Sequence, residues 1–161
     1  MRRLLLIVGV LVLAGCGGSK QAVVTTMTSP ALTGAGRVLY QGSEWAVAVS
    51  GTKATAYHLA GGRWVADRGG EPKIEILGPK PGSKVAAIPQ VAFQVTGKTD
   101  LADTALWVDG VEVPGKGGGL TPKRGTIYGA PGTALKPGTH VAVAYGRTAV
   151  HATAVAWTFH T

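Results

Sequence analysis

The sequence predicts an all-β protein, an antiparallel β-sandwich preceded by a small β-meander. Two observations carry this. Short apolar runs with period-two alternation, such as Trp45-Ala46-Val47-Ala48-Val49 and Val91-Ala92-Phe93-Gln94-Val95, recur along the chain, separated by turns drawn from its 25 Gly and 9 Pro. A two-residue Asp109-Gly110 link joins Thr104–Val108 to Val111–Val113, a strong hairpin signal because a type I′ turn needs positive φ at both central residues. At 161 residues the chain holds one ordinary domain, or a small one with appendages. With 45% hydrophobic and 15% charged residues it is neither a coiled coil nor an acidic disordered tail.

The chain begins with a segment that is not part of that fold. Met1-Arg2-Arg3 is a short positive stretch, and Leu4 to Leu13 is an unbroken apolar run. A membrane-spanning helix needs about 20 apolar residues, so this run is too short to span and reads as the core of an export signal. After it comes Leu13-Ala14-Gly15-Cys16, which holds the one cysteine of the chain. A single Cys excludes an internal disulfide framework and a cysteine-based zinc site.

Leu13-Ala14-Gly15-Cys16 resembles the lipobox of bacterial lipoproteins. The resemblance covers about 20 residues at one end and implies cleavage between Gly15 and Cys16, a diacylglyceryl group on the Cys16 thiol, and acylation of the new amino terminus. Two or three acyl chains anchor stably, since each buried CH₂ contributes about 0.8 kcal/mol. Residues 1–15 are then the signal peptide, and 16–36 the lipidated cysteine and a flexible tether rich in Gly, Ser and Thr. Removing Arg2 and Arg3 leaves 14 basic side chains against 8 acidic ones.

Residues 37–70 form the meander: Val38–Tyr40, Trp45–Val49, Ala54–Leu59 and Arg63–Val65, with turns at Gln41-Gly42-Ser43, Ser50–Lys53 and Ala60-Gly61-Gly62. Trp45, Val47 and Val49 share a pleat face. Such a meander is marginal alone in water and must pack on the domain C-terminal to it.

Residues 71–161 are the main domain. Lys73–Leu77 enters a Pro/Gly-rich corner, Pro114–Leu120 reads as a Gly-rich loop, Thr126–Tyr128 as a short strand, and two long strands near His140–Tyr145 and His151–Phe159 close the chain. Six or seven short strands at this spacing suggest a sandwich. Placing Val141, Val143, Tyr145, Val155, Trp157 and Phe159 on one inward face pairs 141 with 155 and 145 with 151. It leaves an Ala-rich opposite face (Ala142, Ala144, Ala154, Ala156, with His140 and His160) that needs a cover, for which the meander is the candidate.

Ile76-Leu77-Gly78-Pro79-Lys80-Pro81-Gly82-Ser83, Leu106-Trp107-Val108-Asp109-Gly110, Leu135-Lys136-Pro137-Gly138-Thr139-His140 and the terminal Trp157-Thr158-Phe159 together resemble bacterial immunoglobulin-like domains of envelope proteins. The resemblance implies an Ig-like sandwich used as a spacer, an adhesive module or an accessory to an enzyme, and no catalytic residue.

Site chemistry is sparse. In the register above, His140 and His151 point to opposite faces, and His140 and His160 stand roughly 13 Å apart at about 3.3 Å per residue, too far to share a metal. No metal site and no cofactor is expected, and His140 is expected to hydrogen-bond a turn carbonyl. Gly110–Gly117 approaches a phosphate loop but has Gly117 where Ser or Thr is needed and no helix after it. Asp100 and Asp103 suit turn capping better than calcium. No Gly-x-Ser-x-Gly occurs.

Beyond Glu112 there is no acid, while Lys116, Lys123, Arg124, Lys136 and Arg147 lie there, candidates for polyanion contact. A nucleic-acid partner is not expected, because an exported protein would rarely meet one and no basic stripe interleaves with aromatics. The expected protein is a lipid-anchored envelope protein with a non-catalytic Ig-like binding or spacer module, not an enzyme. Its partners would be the membrane, through the anchor, and an envelope polymer or envelope protein. It would be exported and held on the outer face of the bacterial cell membrane or on an outer membrane. The alternative is an accessory subunit of a surface enzyme or transporter.

Overall fold

A computed structural model describes residues 29–161; the lipobox, Cys16 and the signal segment lie outside the described residues. The described chain is all β, as expected. Sheet A is the meander, β1 (Arg37–Gln41), β2 (Trp45–Ser50), β3 (Lys53–Ala60) and β4 (Arg63–Ala66), in sequential order. The other eight strands are β5 (Lys73–Gly78), β6 (Val91–Thr96), β7 (Leu101–Val108), β8 (Val111–Glu112), β9 (Lys116–Thr121), β10 (Arg124–Gly129), β11 (Thr139–Thr148) and β12 (Ala152–His160). Sheet B has the order β5-β6-β10-β9 and sheet C the order β12-β11-β7-β8, and every strand pairing within the three sheets is antiparallel.

Sheets B and C face each other across the sandwich core. Val91, Phe93 and Val95 of β6 and Ile127 of β10 meet Leu106, Val108, Ala142, Ala144, Trp157 and Phe159 of sheet C. The other side of sheet C is also buried. Trp107, Val143, Tyr145 and Ala152 pack there against Trp45, Val47 and Ala56 of the meander. Sheet C is thus the middle of three layers, A on C on B. Small residues set the spacing, because β3 lies along β12 with Ala54 and Ala56 on one side and Ala154 and Ala156 on the other.

This layering corrects the expected register. Val141 pairs with Thr158, Val143 with Ala156 and Tyr145 with Ala154, so the ladder is offset by three residues from the one expected. An odd offset turns one strand over relative to the other. Trp157 and Phe159 are buried, as expected, but they share their face with His140, Ala142 and Ala144. His140 pairs with Phe159, and their ring centroids are 5.5 Å apart, so His140 does not face away from the aromatics. The surface the meander covers is therefore Ala154 and Ala156 of β12, as expected, with Val141, Val143 and Tyr145 of β11 in place of the expected Ala142 and Ala144. The physical reason is that β11 has two buried faces, so collecting all its large residues on one side has no justification.

Two smaller corrections concern boundaries. The Gly-rich stretch expected as a loop is strand β9, which pairs with β10. Gly118 lies beside the Tyr128 ring, where a Cβ would come within 3.3 Å of it. The end of the expected tether is also fixed to the fold. Ser29 Oγ donates to Ser43 O, Leu32 N–H donates to Gln41 Oε1, and the Gln41 and Trp64 side chains both donate to Pro30 O. Ser29, Pro30 and Leu32, expected in the tether, are thus held against the meander. The Asp109-Gly110 turn is as expected, with φ of 51° and 75° and Val108 paired with Val111.

Candidate functional site

The expected basic residues do not assemble into one surface. Lys116 and Arg124 lie on β9 and β10, and Arg124 donates to Gln94 Oε1 across sheet B. The carbonyl of Lys123 accepts from Gly97, at the Thr96 end of the sandwich. Lys136 is at the other end, in the turn before β11, where its carbonyl meets His140. Arg147 turns toward the meander: its guanidinium carbon is 6.0 Å from the Trp45 ring centroid and its Nε 3.8 Å from Asp103 Oδ2. Asp103 Oδ1 also accepts the Thr104 N–H, a local backbone cap.

His140 is a structural clamp. Its Nδ1 is 2.7 Å from Asp109 Oδ2, and its Nε2 is 2.8 Å from Lys136 O and 3.1 Å from Thr161 Oγ1. Asp109 Oδ1 accepts the Val141 N–H, and Lys136 O also accepts from the Thr161 hydroxyl. Acceptors at both ring nitrogens suit the doubly protonated imidazolium. The hydrogen bond to the Asp109 carboxylate raises the His140 pKa above the usual imidazole value, against the opposing effect of burial. The Lys136 carbonyl contact is the turn hydrogen bond expected for His140, and the sequence contains no sign of the Asp109 partner 31 residues away.

No sequence pattern points to a second polar cluster, which gathers around Asp67. This residue, in the segment joining β4 to β5, has a side chain only 3% exposed. Its Oδ1 accepts the Gly69 N–H at 2.8 Å, and its Oδ2 accepts the Ala152 N–H at 3.0 Å. His58 Nδ1 and His151 Nδ1 stand 3.9 and 3.5 Å from the same carboxylate. Both oxygens are taken by backbone amides, so Asp67 pins the linker to the start of β12. Among the described residues, no three His, Cys, Asp or Glu side chains are arranged to hold a metal ion.

Beside this clamp lies a cleft of about 450 Å³ between β3 and β12. Ala54, Ala56, Ala66, Ala152 and Ala154 give it an apolar lining, Thr55, Tyr57 and Thr153 add hydroxyls, and Lys53 and Arg68 add positive charge. Asp67 is its acid, already committed to amides. The sequence offers little to find this cleft, because its residues come from three separated stretches that only the stacking of sheet A on sheet C brings together.

The chain matches no family model and no curated protein. Among solved structures it is similar to the selenomethionine form of PcoC, a copper resistance protein from Escherichia coli, at 22% identity over 54% of this chain and 98% of that one, with a TM-score of 0.34. A likeness at that TM-score assigns no ligand to this chain.

Proposed function

We propose that the chain is a lipid-anchored cell-envelope protein whose Ig-like sandwich, with the meander packed on it, is a non-catalytic binding module. The observation that carries the reading is the single cysteine at the end of Leu13-Ala14-Gly15-Cys16, after Arg2-Arg3 and an apolar run too short to span a bilayer. Binding is favoured over a plain spacer by the cleft between β3 and β12, which has two cations and an apolar lining. The reading puts the protein on the outer face of a bacterial membrane, with an envelope protein or polymer as partner.

The test is Cys16→Ser. The wild-type chain should partition into the detergent phase, with its N-terminal peptide carrying acyl mass on Cys16. The variant should lose both. Unchanged partitioning of the variant would remove the lipid reading.

A further inference from the structure

Strand β12 is the outer strand of sheet C, and its hydrogen-bonding direction can be read along its length. Gly82 donates to Thr158 O, His160 donates to Ser83 O, and Val85 donates to His160 O. Even-numbered residues of β12 therefore turn their N–H and C=O away from β11. The same parity reappears at the other end of the strand, where Ala152 donates to Asp67 Oδ2. Between these two covered ends lie Ala154 and Ala156, with outward N–H and C=O groups that have no partner among the described residues.

The facing wall of the cleft has the same property. Asp67 donates to Ala56 O, so even-numbered residues of β3 turn away from β2, and β4 pairs with β3 only from Tyr57 onward. Ala54 is then also open. Both residues line the one cleft, and Lys53 and Arg68 line it too, with no acid within ion-pair distance of either among the described residues.

We propose that this cleft takes an extended, acidic peptide segment of a partner protein, which adds a strand to the open edge of β12 between Ala152 and Thr158. Main-chain hydrogen bonds to Ala154 supply generic affinity, as in other strand additions. The partly exposed alanines of the lining, Ala54, Ala66 and Ala154, admit small or medium apolar side chains on alternate positions of the incoming strand. Lys53 and Arg68 select carboxylates on that strand. The unpaired window is about five residues, or roughly 17 Å, which suits a short linear segment rather than a folded domain. The site sharpens the binding-module reading given above and rests on it, but not on the anchor, so loss of anchoring in Cys16→Ser and loss of peptide capture are separate outcomes.

The probe is a fluorescein-labelled octapeptide alternating Val and Glu, titrated by anisotropy against the full-length chain in detergent. Saturable binding is expected, with amide shifts at Ala154. Ala154→Pro removes the outward N–H on an edge strand, where proline is tolerated, and should weaken binding at least tenfold. Lys53→Glu with Arg68→Glu, both on the surface, should do the same without touching the backbone. A peptide with alternate amides N-methylated, and one with Lys for Glu, should each bind at least tenfold more weakly. No saturation up to millimolar peptide, or binding indifferent to Ala154→Pro and to N-methylation, overturns the proposal. So does a dimer in sedimentation that Ala154→Pro abolishes, since the edge would then pair with a second copy of the chain.

Discussion

Strand β11 shows Ala142, Ala144 and Gly146 to sheet B, and Val141, Val143 and Tyr145 to sheet A. Against sheet B the small residues of β11 accept large ones: a Cβ at Gly146 would stand 2.7 Å from Val95 Cγ2. The one indole nitrogen in that core, Trp157 Nε1, donates to Pro79 O at 3.0 Å. Against sheet A the arrangement is looser in its polar groups. Among the described residues, three buried side-chain atoms lack a hydrogen-bond partner, His58 Nδ1, Tyr145 Oη and Arg147 Nε, and all three lie at or beside the A–C contact. His58 Nδ1 and Arg147 Nε each have a carboxylate just beyond hydrogen-bond reach, at 3.9 and 3.8 Å, whereas a buried polar atom with no partner, as at Tyr145 Oη, costs about 1–3 kcal/mol. The B–C core thus specifies the sandwich closely, while the A–C contact closes over it with small residues and tolerates imperfect polar pairing.

The comparison is tested hardest by Phe93→Ala. Phe93 is fully buried between the sheets, and its loss should cost about 3–5 kcal/mol in urea unfolding. A cost below about 1 kcal/mol would mean the B–C core is not the closely packed one. The matched pair Val95→Ala and Val47→Ala sharpens it further, because both side chains are fully buried and lose the same atoms, one in each core. Val95→Ala should cost about 2–3 kcal/mol and Val47→Ala about 1–2, since cost depends on how well the site can collapse. Equal costs would erase the distinction between the two contacts.

His140→Gln produces a slope rather than an offset. With the His140 pKa raised in the folded state, its contribution is fully present below the ordinary imidazole value and fades as pH rises through the higher folded one. The urea midpoints of wild type and variant should differ most at about pH 5.5 and converge toward about pH 9. A gap independent of pH would mean that His140 is held by packing on Phe159 and not by its charge.

The smallest effect has the opposite sign. Burial pushes the Tyr145 phenol above its usual range, and its hydroxyl has no partner among the described residues. Tyr145→Phe should therefore be neutral or stabilising by up to about 1 kcal/mol. A destabilisation above that size would mean that the Tyr145 hydroxyl is hydrogen-bonded in the folded protein.

What could be read from the sequence was local. The Asp109-Gly110 hairpin was legible because both its residues and its strands are adjacent, and the φ values follow from chemistry at two positions. The burial of Trp157 and Phe159 was legible from the period-two apolar alternation they share with Val155. Their partners were not, because the alternation in β11 encodes two cores and a single-core reading folds both onto one face. The need for a cover over sheet C followed from the alanines, and Ala154 and Ala156 of β12 lie under it as expected, but the residues of β11 were assigned to the wrong side. The cleft lay further out of reach. Lys53 and Arg68 stand far along the chain from Ala154, and no period links them.

The burial of sheet C on both sides also fixes where the molecule opens last. β11 is flanked by β7 and β12 in its own sheet and roofed by sheets A and B, so neither fraying nor the departure of one layer exposes its central amides. Detaching the meander alone still leaves the Val143 and Tyr145 amides in their ladders to β7 and β12. Their exchange with deuterium must await global unfolding, whereas the amides of β4, paired on one side only, exchange through a local opening. The slowest amides of this protein are therefore those in the middle of β11, and their exchange rate reports the free energy of the whole three-layer stack.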